Sequence, residues 1–282
     1  MRRSSSAGRA SRLSARAREI VGRAAARRPP APDPLGATGL VKRYGGATVL
    51  RGVDLRVVAG RVVGLVGPNG SGKTTLLHAV AGLVRLDVGD ALVSGAPAGS
   101  RSARARVALV PDEPTGFDEL TVLEFVALVH GLWRADPQAR ARSALLLDAF
   151  GLTPRASERL GTLSRGLRRQ AAAVAAFSLA TPLVLVDEAT ATLDPEAVVV
   201  LREAVAALAA RGCGVLLATQ DLHFAGSACD ELVLLRRGAV VDRGTPGELL
   251  RRHGADSIED VFLAAVGDAG LRRRVRDGLV AL

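Results

Sequence analysis

The length, composition and charge of the chain restrict what it can be. It has 282 residues, of which 48% are apolar and 3% aromatic, and a formal net charge of +10. That length suffices for one sizeable domain with a buried core, and so few aromatic side chains exclude a platform for stacked bases. Residues 1–30 hold nine arginines against one acid, so most of the charge lies there and the remainder is almost neutral. We therefore expect no nucleic-acid partner.

The N-terminal segment, residues 1–34, is rich in arginine, alanine and proline, which predicts a disordered tail. Four of its apolar residues recur at helical spacing, so a basic amphipathic helix on anionic lipid stays open as an alternative. They are Leu13, Ala17, Ile20 and Ala24. The composition of the segment also matches a transit peptide.

No segment has the length and apolarity of a membrane-spanning helix. The most apolar stretch, residues 171–186, is interrupted by Pro182 and ends at two acids. The N-terminal arginines are not followed by the apolar region of a signal peptide. Cys213 and Cys229 lack metal-ligand spacing and are predicted to be reduced thiols. We expect a soluble protein.

From residue 35 onward, short apolar runs alternate with segments in which apolar residues recur at intervals of three and four, and no internal repeat is found. This alternation predicts an α/β fold with a parallel sheet buried on both faces. In chain order, the pattern predicts strands at 57–58, 62–66, 107–110, 183–186, 215–218, 233–235 and 240–241, the last two forming a hairpin across Arg237-Gly238, and helices at 73–82 and between 120 and 152.

The strand at 62–66 runs into a glycine-rich segment that opens a helix and matches G-x-x-x-x-G-K-[ST], the pattern of a phosphate-binding loop. Its residues, with the threonine that follows, are Gly67, Pro68, Asn69, Gly70, Ser71, Gly72, Lys73, Thr74 and Thr75. The glycines allow backbone amides to surround a phosphate at the positive end of the helix. Lys73 is predicted to bind the β- and γ-phosphates of a nucleotide, and the Thr74 hydroxyl to bind Mg²⁺.

The apolar strand at 183–186 ends in two carboxylates, Asp187 and Glu188. A parallel strand beside the phosphate loop would bring them to the nucleotide, so we expect Asp187 to hold Mg²⁺ and Glu188 to polarise the attacking water. Because strands often end in acids, the pair indicates a nucleotide site only in combination with the phosphate loop upstream.

Residues 35 to about 265 resemble the ATP-binding subunit of ABC transporters in the order and spacing of several further motifs. These are Tyr44, Val110-Pro111-Asp112-Glu113-Pro114, Leu163-Ser164-Arg165-Gly166-Leu167, Thr192-Leu193-Asp194-Pro195 and Leu216-Leu217-Ala218-Thr219-Gln220-Asp221. The run from Asp112 to Phe125 and the segment from Ser257 to Val266 are similar to the subgroup that serves bacterial ABC-2-type exporters. The common order of these short motifs carries the resemblance.

The resemblance implies a P-loop NTPase (RecA-like) core with an antiparallel β subdomain and an inserted helical subdomain at about residues 98–165. The ATP-binding domain would extend over residues 35–253, followed by a C-terminal helical extension at 254–282. The implied function is to bind and hydrolyse ATP, with Mg²⁺, for a separate transmembrane permease in export. A second ATP-binding subunit, in a homodimer or heterodimer, and a cytoplasmic location at the inner face of the cell membrane are also implied.

The family's residue roles carry over where the motifs match. Tyr44 stands where the family stacks an aromatic ring on adenine. Ser164 and the Gly166 backbone stand where the family caps the γ-phosphate in the opposite subunit. Asp112 replaces a glutamine that contacts Mg²⁺ and the membrane partner, and its carboxylate is expected to bind Mg²⁺ as well. Gln220 replaces a histidine that contacts the γ-phosphate and the attacking water, and glutamine cannot titrate.

The departures from the family pattern leave alternatives open. Arg165 and Leu167 replace a glycine and a glutamine that the family usually has in the motif around Ser164. The absence of a histidine at Gln220 predicts slow hydrolysis. A degenerate subunit that binds ATP in a regulatory role is favoured by Gln220 and opposed by Glu188. A non-transport ABC ATPase of translation or repair is opposed by the single cassette and the lack of long coiled coils. A different P-loop enzyme, such as a kinase, is opposed by the segment around Ser164.

Overall fold

The computed structural model describes residues 32–265, and those from Asp33 onward belong to one structural unit. The predicted N-terminal tail, its alternative amphipathic helix and the C-terminal residues beyond 265 lie outside the described residues. Within these limits the chain forms two β-sheets flanked by helices.

The larger sheet has six strands. They are β3 (Val62–Val66), β6 (Val107–Val110), β7 (Leu183–Val186), β8 (Gly214–Thr219), β9 (Glu231–Arg236) and β10 (Ala239–Gly244). Their order is β10-β9-β3-β8-β7-β6, with β10 antiparallel to β9 and every other pair parallel. The phosphate-loop strand β3 therefore lies near the centre, two places from β7, which ends in the acids.

The smaller sheet is antiparallel throughout. It contains β1 (Leu35–Tyr44), β2 (Ala47–Val57), β4 (Val88–Val93) and β5 (Ala96–Pro97), in the order β2-β1-β4-β5. This sheet confirms the predicted antiparallel subdomain beside the parallel core.

The helices of the described residues are α1 (Lys73–Ala81), α2 (Arg101–Arg104), α3 (Val122–Trp133), α4 (Ala139–Ala149), α5 (Arg165–Phe177), α6 (Pro195–Ala210), α7 (Leu222–Ala228), α8 (Pro246–His253) and α9 (Ile258–Ala265). Polar side chains begin several of them, because the first amides of a helix lack intrahelical acceptors. Ser164 caps α5, Asp194 caps α6, and Thr121 with Glu124 forms a capping box at α3. None of the helices between residues 32 and 265 combines the length and apolarity needed to cross a bilayer.

The parallel strands are buried on both faces, as their continuous apolar sequences predict. Successive side chains of a strand point to opposite faces. In β3, Val62 and Val66 accordingly pack into one core with α3, α5, α6 and α7, while Val63 and Leu65 pack into another with α1 and the antiparallel sheet. The central sheet thus separates two cores, and its carboxyl edge carries the loops of the site.

Most of the predicted elements are confirmed, including the hairpin across Arg237-Gly238 and the helix from residue 73. The strand predicted at 57–58 is wrong in its bounds: β2 ends at Val57, since the chain turns at Ala59-Gly60, where Gly60 has φ +75°. The strand β1 was not among the predicted strands. Within the range 98–165, β6 pairs with the core sheet, and the helical layer begins at Val122.

Candidate functional site

The phosphate-binding loop joins the end of β3 to the first residue of α1. Gly70 and Gly72 have φ +74° and +107°, a region that residues with a side chain rarely adopt. No side chain caps α1, and the first amide that bonds within it belongs to Leu76, which donates to the Gly72 carbonyl at 2.9 Å. The amides of residues 72–75 are therefore available to an anion at the positive end of the helix, whereas the Ser71 amide donates to the Pro68 carbonyl oxygen at 3.1 Å.

The loop is supported from behind by the hairpin of β9 and β10. The Gly238 amide donates to the Ser71 carbonyl oxygen at 2.9 Å. A Cβ added at Gly67 would lie 2.3 Å from the carbonyl oxygen of Leu235, so glycine is required there for close packing. Pro68, Asn69 and Gly70 form the exposed tip of the loop.

Lys73 is held inside the loop that it follows. Its side chain is 4% exposed, and its Nζ donates to the Gly67 carbonyl oxygen at 2.8 Å. The same Nζ lies 3.3 Å from Oε1 of Glu188. A compact cation is thus positioned between the phosphate loop and the acid that follows β7.

The hydroxyl of Thr74, in the first turn of α1, donates a hydrogen bond to Oδ1 of Asp187, which follows β7, at 3.2 Å. Asp187 is buried, and burial raises the pKa of its carboxyl, with a smaller effect in the same direction from Glu188. The hydrogen bond from Thr74 opposes that shift of the pKa. A hydroxyl and a carboxylate side by side are the hard oxygen ligands that Mg²⁺ prefers, so this pair fits the cation.

Glu188 is contacted from two sides, by one hydrogen bond and one ion pair. Gln220, which follows β8, donates from Nε2 to Oε1 of Glu188 at 3.1 Å, and Lys73 contacts the same oxygen. In the described part of the chain no group donates to the other oxygen, Oε2, which is therefore available to a water molecule. The backbone of Glu188 has φ +47°, an unusual conformation for a residue with a side chain.

The sequence analysis missed Arg169, which is buried beneath the two acids. Its Nη1 lies 3.0 Å from Oδ1 of Asp112, and its Nη2 donates to the carbonyl oxygens of Asp187 and Glu188. Burial lowers the pKa of Arg169, although the three surrounding carboxylates oppose this. No spacing in the sequence marked it, since Arg168 and Arg169 both precede buried alanines of α5 by three and four residues.

Asp112, predicted as a magnesium ligand, forms its ion pair with Arg169. It follows β6, so it lies at the same edge of the sheet as Asp187, but its hydrogen bond is not to Thr74 or Asp187. The structure thus brings Thr74 and Asp187 into contact, whereas Asp112 pairs with the guanidinium of Arg169.

Tyr44 lies at the end of β1, with 48% of its surface exposed. The Nζ of Lys42 lies 5.1 Å from the centre of its ring. This cation–π contact orients the ring, which remains accessible to a planar ligand. The chain thus has an exposed aromatic ring at the end of β1, and its contact with adenine stays a prediction.

Ser164 is exposed and accepts a hydrogen bond from the Leu167 amide at 3.3 Å, as the N-cap of α5. A Cβ added at Gly166 would lie 2.5 Å from the Thr192 carbonyl oxygen. The start of α5 therefore packs directly on the loop that contains Thr192, which has φ +64°. The start of α5 and the loop that contains Thr192 thus form one surface, on which Ser164 is exposed to solvent.

Comparisons with known proteins show which family the chain resembles. The sequence model of the ABC transporter family matches residues 50–191. The chain is 36% identical to the daunorubicin resistance ATP-binding protein DrrA2 of Streptomyces coeruleorubidus, over 80% of the chain and 71% of the relative. It is 35% identical to the Nod factor export ATP-binding protein I of Burkholderia orbicola (strain AU 1054), over 77% and 73%.

Among solved structures, an ATP-binding subunit of an ABC transporter superposes with a TM-score of 0.78 at 30% sequence identity, covering 82% of this chain and 98% of the other. The predicted P-loop NTPase fold and the predicted family are confirmed. With its phosphate loop, acid pair and matching relatives, the chain belongs to the ABC transporter family, as an ATP-binding subunit that hydrolyses ATP for a membrane permease.

Proposed function

We propose that the chain hydrolyses ATP with Mg²⁺ as one half of an ATP-binding dimer and thereby drives export through a separate permease. The observation that carries the proposal is the convergence of three distant segments. Lys73 and Gln220 both contact Oε1 of Glu188, and Thr74, next to Lys73, contacts Asp187. A phosphate cradle, a hard-oxygen pair and a water-orienting carboxylate thus lie together.

The free backbone amides of the phosphate loop and of the first turn of α1, together with the ammonium of Lys73, would bind the phosphates of ATP, and the exposed ring of Tyr44 would stack on adenine. Thr74 and Asp187 would hold Mg²⁺, which neutralises charge on the β- and γ-phosphates. The described residues contain no cluster of three or more His, Cys, Asp and Glu side chains able to hold a metal. This agrees with a cation that takes its remaining ligands from phosphate and water.

Glu188 would accept a proton from the attacking water or orient it, and Gln220 would hold the carboxylate in place. A glutamine amide donates a hydrogen bond to Glu188 but cannot gain or lose a proton. We therefore infer slow hydrolysis, because the loss of one electrostatic contact to a transition state typically lowers the rate by about 10²–10³. Gln220 also favours a second candidate function, a regulatory subunit that binds ATP with little turnover.

The dimer would complete each site with the exposed Ser164 and the Gly166 backbone of the opposite subunit. The variant Glu188→Gln, which is expected to bind ATP without cleaving it, tests for this dimer. We expect a dimer in the presence of ATP and Mg²⁺ by size-exclusion chromatography with light scattering. Glu203→Gln, at an exposed site on α6, is the control and should behave as the unmodified protein. A Glu188→Gln protein whose mass is unaffected by ATP would contradict the sandwich arrangement.

Export is supported by the relatives, one of which is named for Nod factor export. A groove of about 310 Å³ between β6, α3 and α5 supports a docking surface for the permease. Its walls are mostly apolar, with Phe117, Phe125 and Trp133 among them, and Glu113 lies at the rim. Because the loop from Asp112 forms one wall, a segment docked in this groove would lie close to the site.

This location at the membrane can be tested with native membranes. Phe117 is 39% exposed at the groove, whereas Leu145 is 73% exposed on α4 outside it. We expect Phe117→Asp to release the subunit from the membrane fraction and Leu145→Asp to leave it bound, with ATP affinity unchanged in both. Equal retention of the two variants would contradict docking in this groove.

A further inference from the structure

Arg169 is a buried cation whose contacts lead to the segments that carry the acids. Its side chain is 3% exposed and extends from α5. Nη1 lies 3.0 Å from Oδ1 of Asp112 and 3.1 Å from the Ala191 carbonyl oxygen, and Nη2 donates to the carbonyl oxygens of Asp187 and Glu188. One guanidinium therefore joins α5, the loop after β6 and the loop after β7.

The two carbonyls bound by Nη2 belong to the peptide units on either side of the Glu188 Cα. Glu188 has φ +47°, a conformation that persists only where its surroundings hold it. Its carbonyl oxygen also accepts from the Ala191 amide at 3.1 Å. With both peptide units held in this way, the carboxylate is directed at Lys73 and Gln220.

The charge of Arg169 requires a partner, because an unpaired buried cation is strongly destabilising. Asp187 and Glu188 offer their backbone oxygens to it, so the carboxylate in contact with the guanidinium is that of Asp112. An acid at this position supplies the negative charge that a buried arginine beneath the site needs.

We propose that Arg169 is a positioning residue for Glu188 and that Asp112 is its counter-ion, not a ligand of Mg²⁺. The proposal rests on the catalytic role proposed above for Glu188. Loss of Arg169 would misplace the carboxylate without touching the phosphate loop, so turnover would fall while ATP still binds. Loss of the charge of Asp112 would loosen Arg169 and leave the Mg²⁺ requirement unchanged.

The test compares Arg169→Gln, Arg169→Lys, Asp112→Asn and the double variant Arg169→Gln/Asp112→Asn. Arg168→Gln, one residue earlier on α5 and paired with Asp118 at 3.6 Å, is the matched control. Turnover is measured against ATP and against Mg²⁺ concentration. Binding of labelled ATP and the midpoint of thermal unfolding without nucleotide are measured separately.

We expect Arg169→Gln to lower kcat by about 10²-fold, the scale of a catalytic group misplaced by about 1 Å, with ATP affinity within about threefold of the unmodified protein. Arg169→Lys should recover part of kcat. Asp112→Asn should lower kcat by about tenfold without raising the Mg²⁺ concentration for half-maximal turnover. The double variant should be no worse than Arg169→Gln, since two residues in contact are not additive.

A rise of about tenfold in the Mg²⁺ requirement of Asp112→Asn would identify Asp112 as a metal ligand and overturn its counter-ion role. Loss of ATP binding together with turnover in Arg169→Gln, or an equal loss in Arg168→Gln, would overturn the positioning role. If Arg169→Gln does not fold, Arg169→Lys and Asp112→Asn decide. Full turnover in Glu188→Gln would refute the catalytic role of Glu188. If the change in the unfolding midpoint of the double variant equals the sum of the changes in Arg169→Gln and Asp112→Asn, the ion pair is refuted independently of catalysis.

Discussion

The turn between β9 and β10 offers a sharp test of how the phosphate loop is supported. Gly238 has φ +83°; its amide donates to the Ser71 carbonyl oxygen at 2.9 Å, and its own carbonyl accepts from the Arg51 amide at 2.8 Å. A Cβ added there would lie 2.1 Å from the Val49 carbonyl oxygen. Gly238→Ala therefore strains the turn and separates it from both β2 and the phosphate loop.

The expected loss of unfolding free energy has two parts. A side chain in the left-handed region costs about 1–2 kcal/mol. Overpacking against a backbone carbonyl adds about 1–3 kcal/mol, because Val49 belongs to β2, a strand paired with β1 that cannot move freely. Gly212 has φ +88° with nothing within 4 Å of an added Cβ, so Gly212→Ala carries only the first part.

The two variants are compared by urea unfolding and by titration with labelled ATP. We expect Gly238→Ala to be less stable than Gly212→Ala by about 1–3 kcal/mol and to bind ATP more weakly, since the Ser71 carbonyl loses its donor. Gly212→Ala should keep the ATP affinity of the unmodified protein. Equal stability and equal affinity of the two variants would refute the claim that this turn holds the loop.

Three further predictions concern single side chains. Lys73→Ala should abolish binding of labelled ATP, because the ammonium held between Gly67 and Glu188 is removed; retained affinity would contradict its role. Gln220→His should raise turnover about tenfold or more and add an inflection near pH 6.5, below which an imidazolium beside Glu188 weakens the carboxylate as a base; an unchanged pH–rate profile would count against the contact. At the start of α3, the Thr121 backbone amide, and to a smaller extent the Thr121 hydroxyl, donates a hydrogen bond to the Glu124 carboxylate and lowers its pKa from 4.5. The charged carboxylate therefore contributes to stability above pH 4.5, and this contribution is lost as the pH falls through the lowered pKa. Thermal unfolding should therefore separate Glu124→Gln from the unmodified protein at pH 7 and not below the lowered pKa, and an equal gap at both would refute the capping-box charge.

Much of the site could be predicted from the sequence because its chemistry is local. The phosphate loop is a contiguous stretch in which glycines, a lysine and a threonine must follow a strand and open a helix. The pair Asp187-Glu188 is similarly marked by the apolar strand before it. The α/β class also followed from local patterns, since continuous apolar runs of four or five residues are typical of parallel strands.

The antiparallel sheet was less visible in the sequence. Strand β1, Leu35–Tyr44, alternates between buried and exposed positions irregularly, and its pairing with β2 shifts register at several points. Such bulges break the period of two on which the recognition of a strand depends. The resemblance to a family predicted this sheet, whereas residue patterns alone did not.

The sequence by itself determined which backbone could bind a phosphate and which two acids follow another strand of the parallel sheet. Only the tertiary structure decided that Arg169 lies beneath those acids with Asp112 as its partner, and that Gly238 supports Ser71. In the sequence, Arg169 is not distinguishable from the neighbouring Arg168, which reaches the surface. The physical reason is that contacts between segments far apart in the chain depend on how helices and sheets pack, whereas a loop conformation depends on the residues within it.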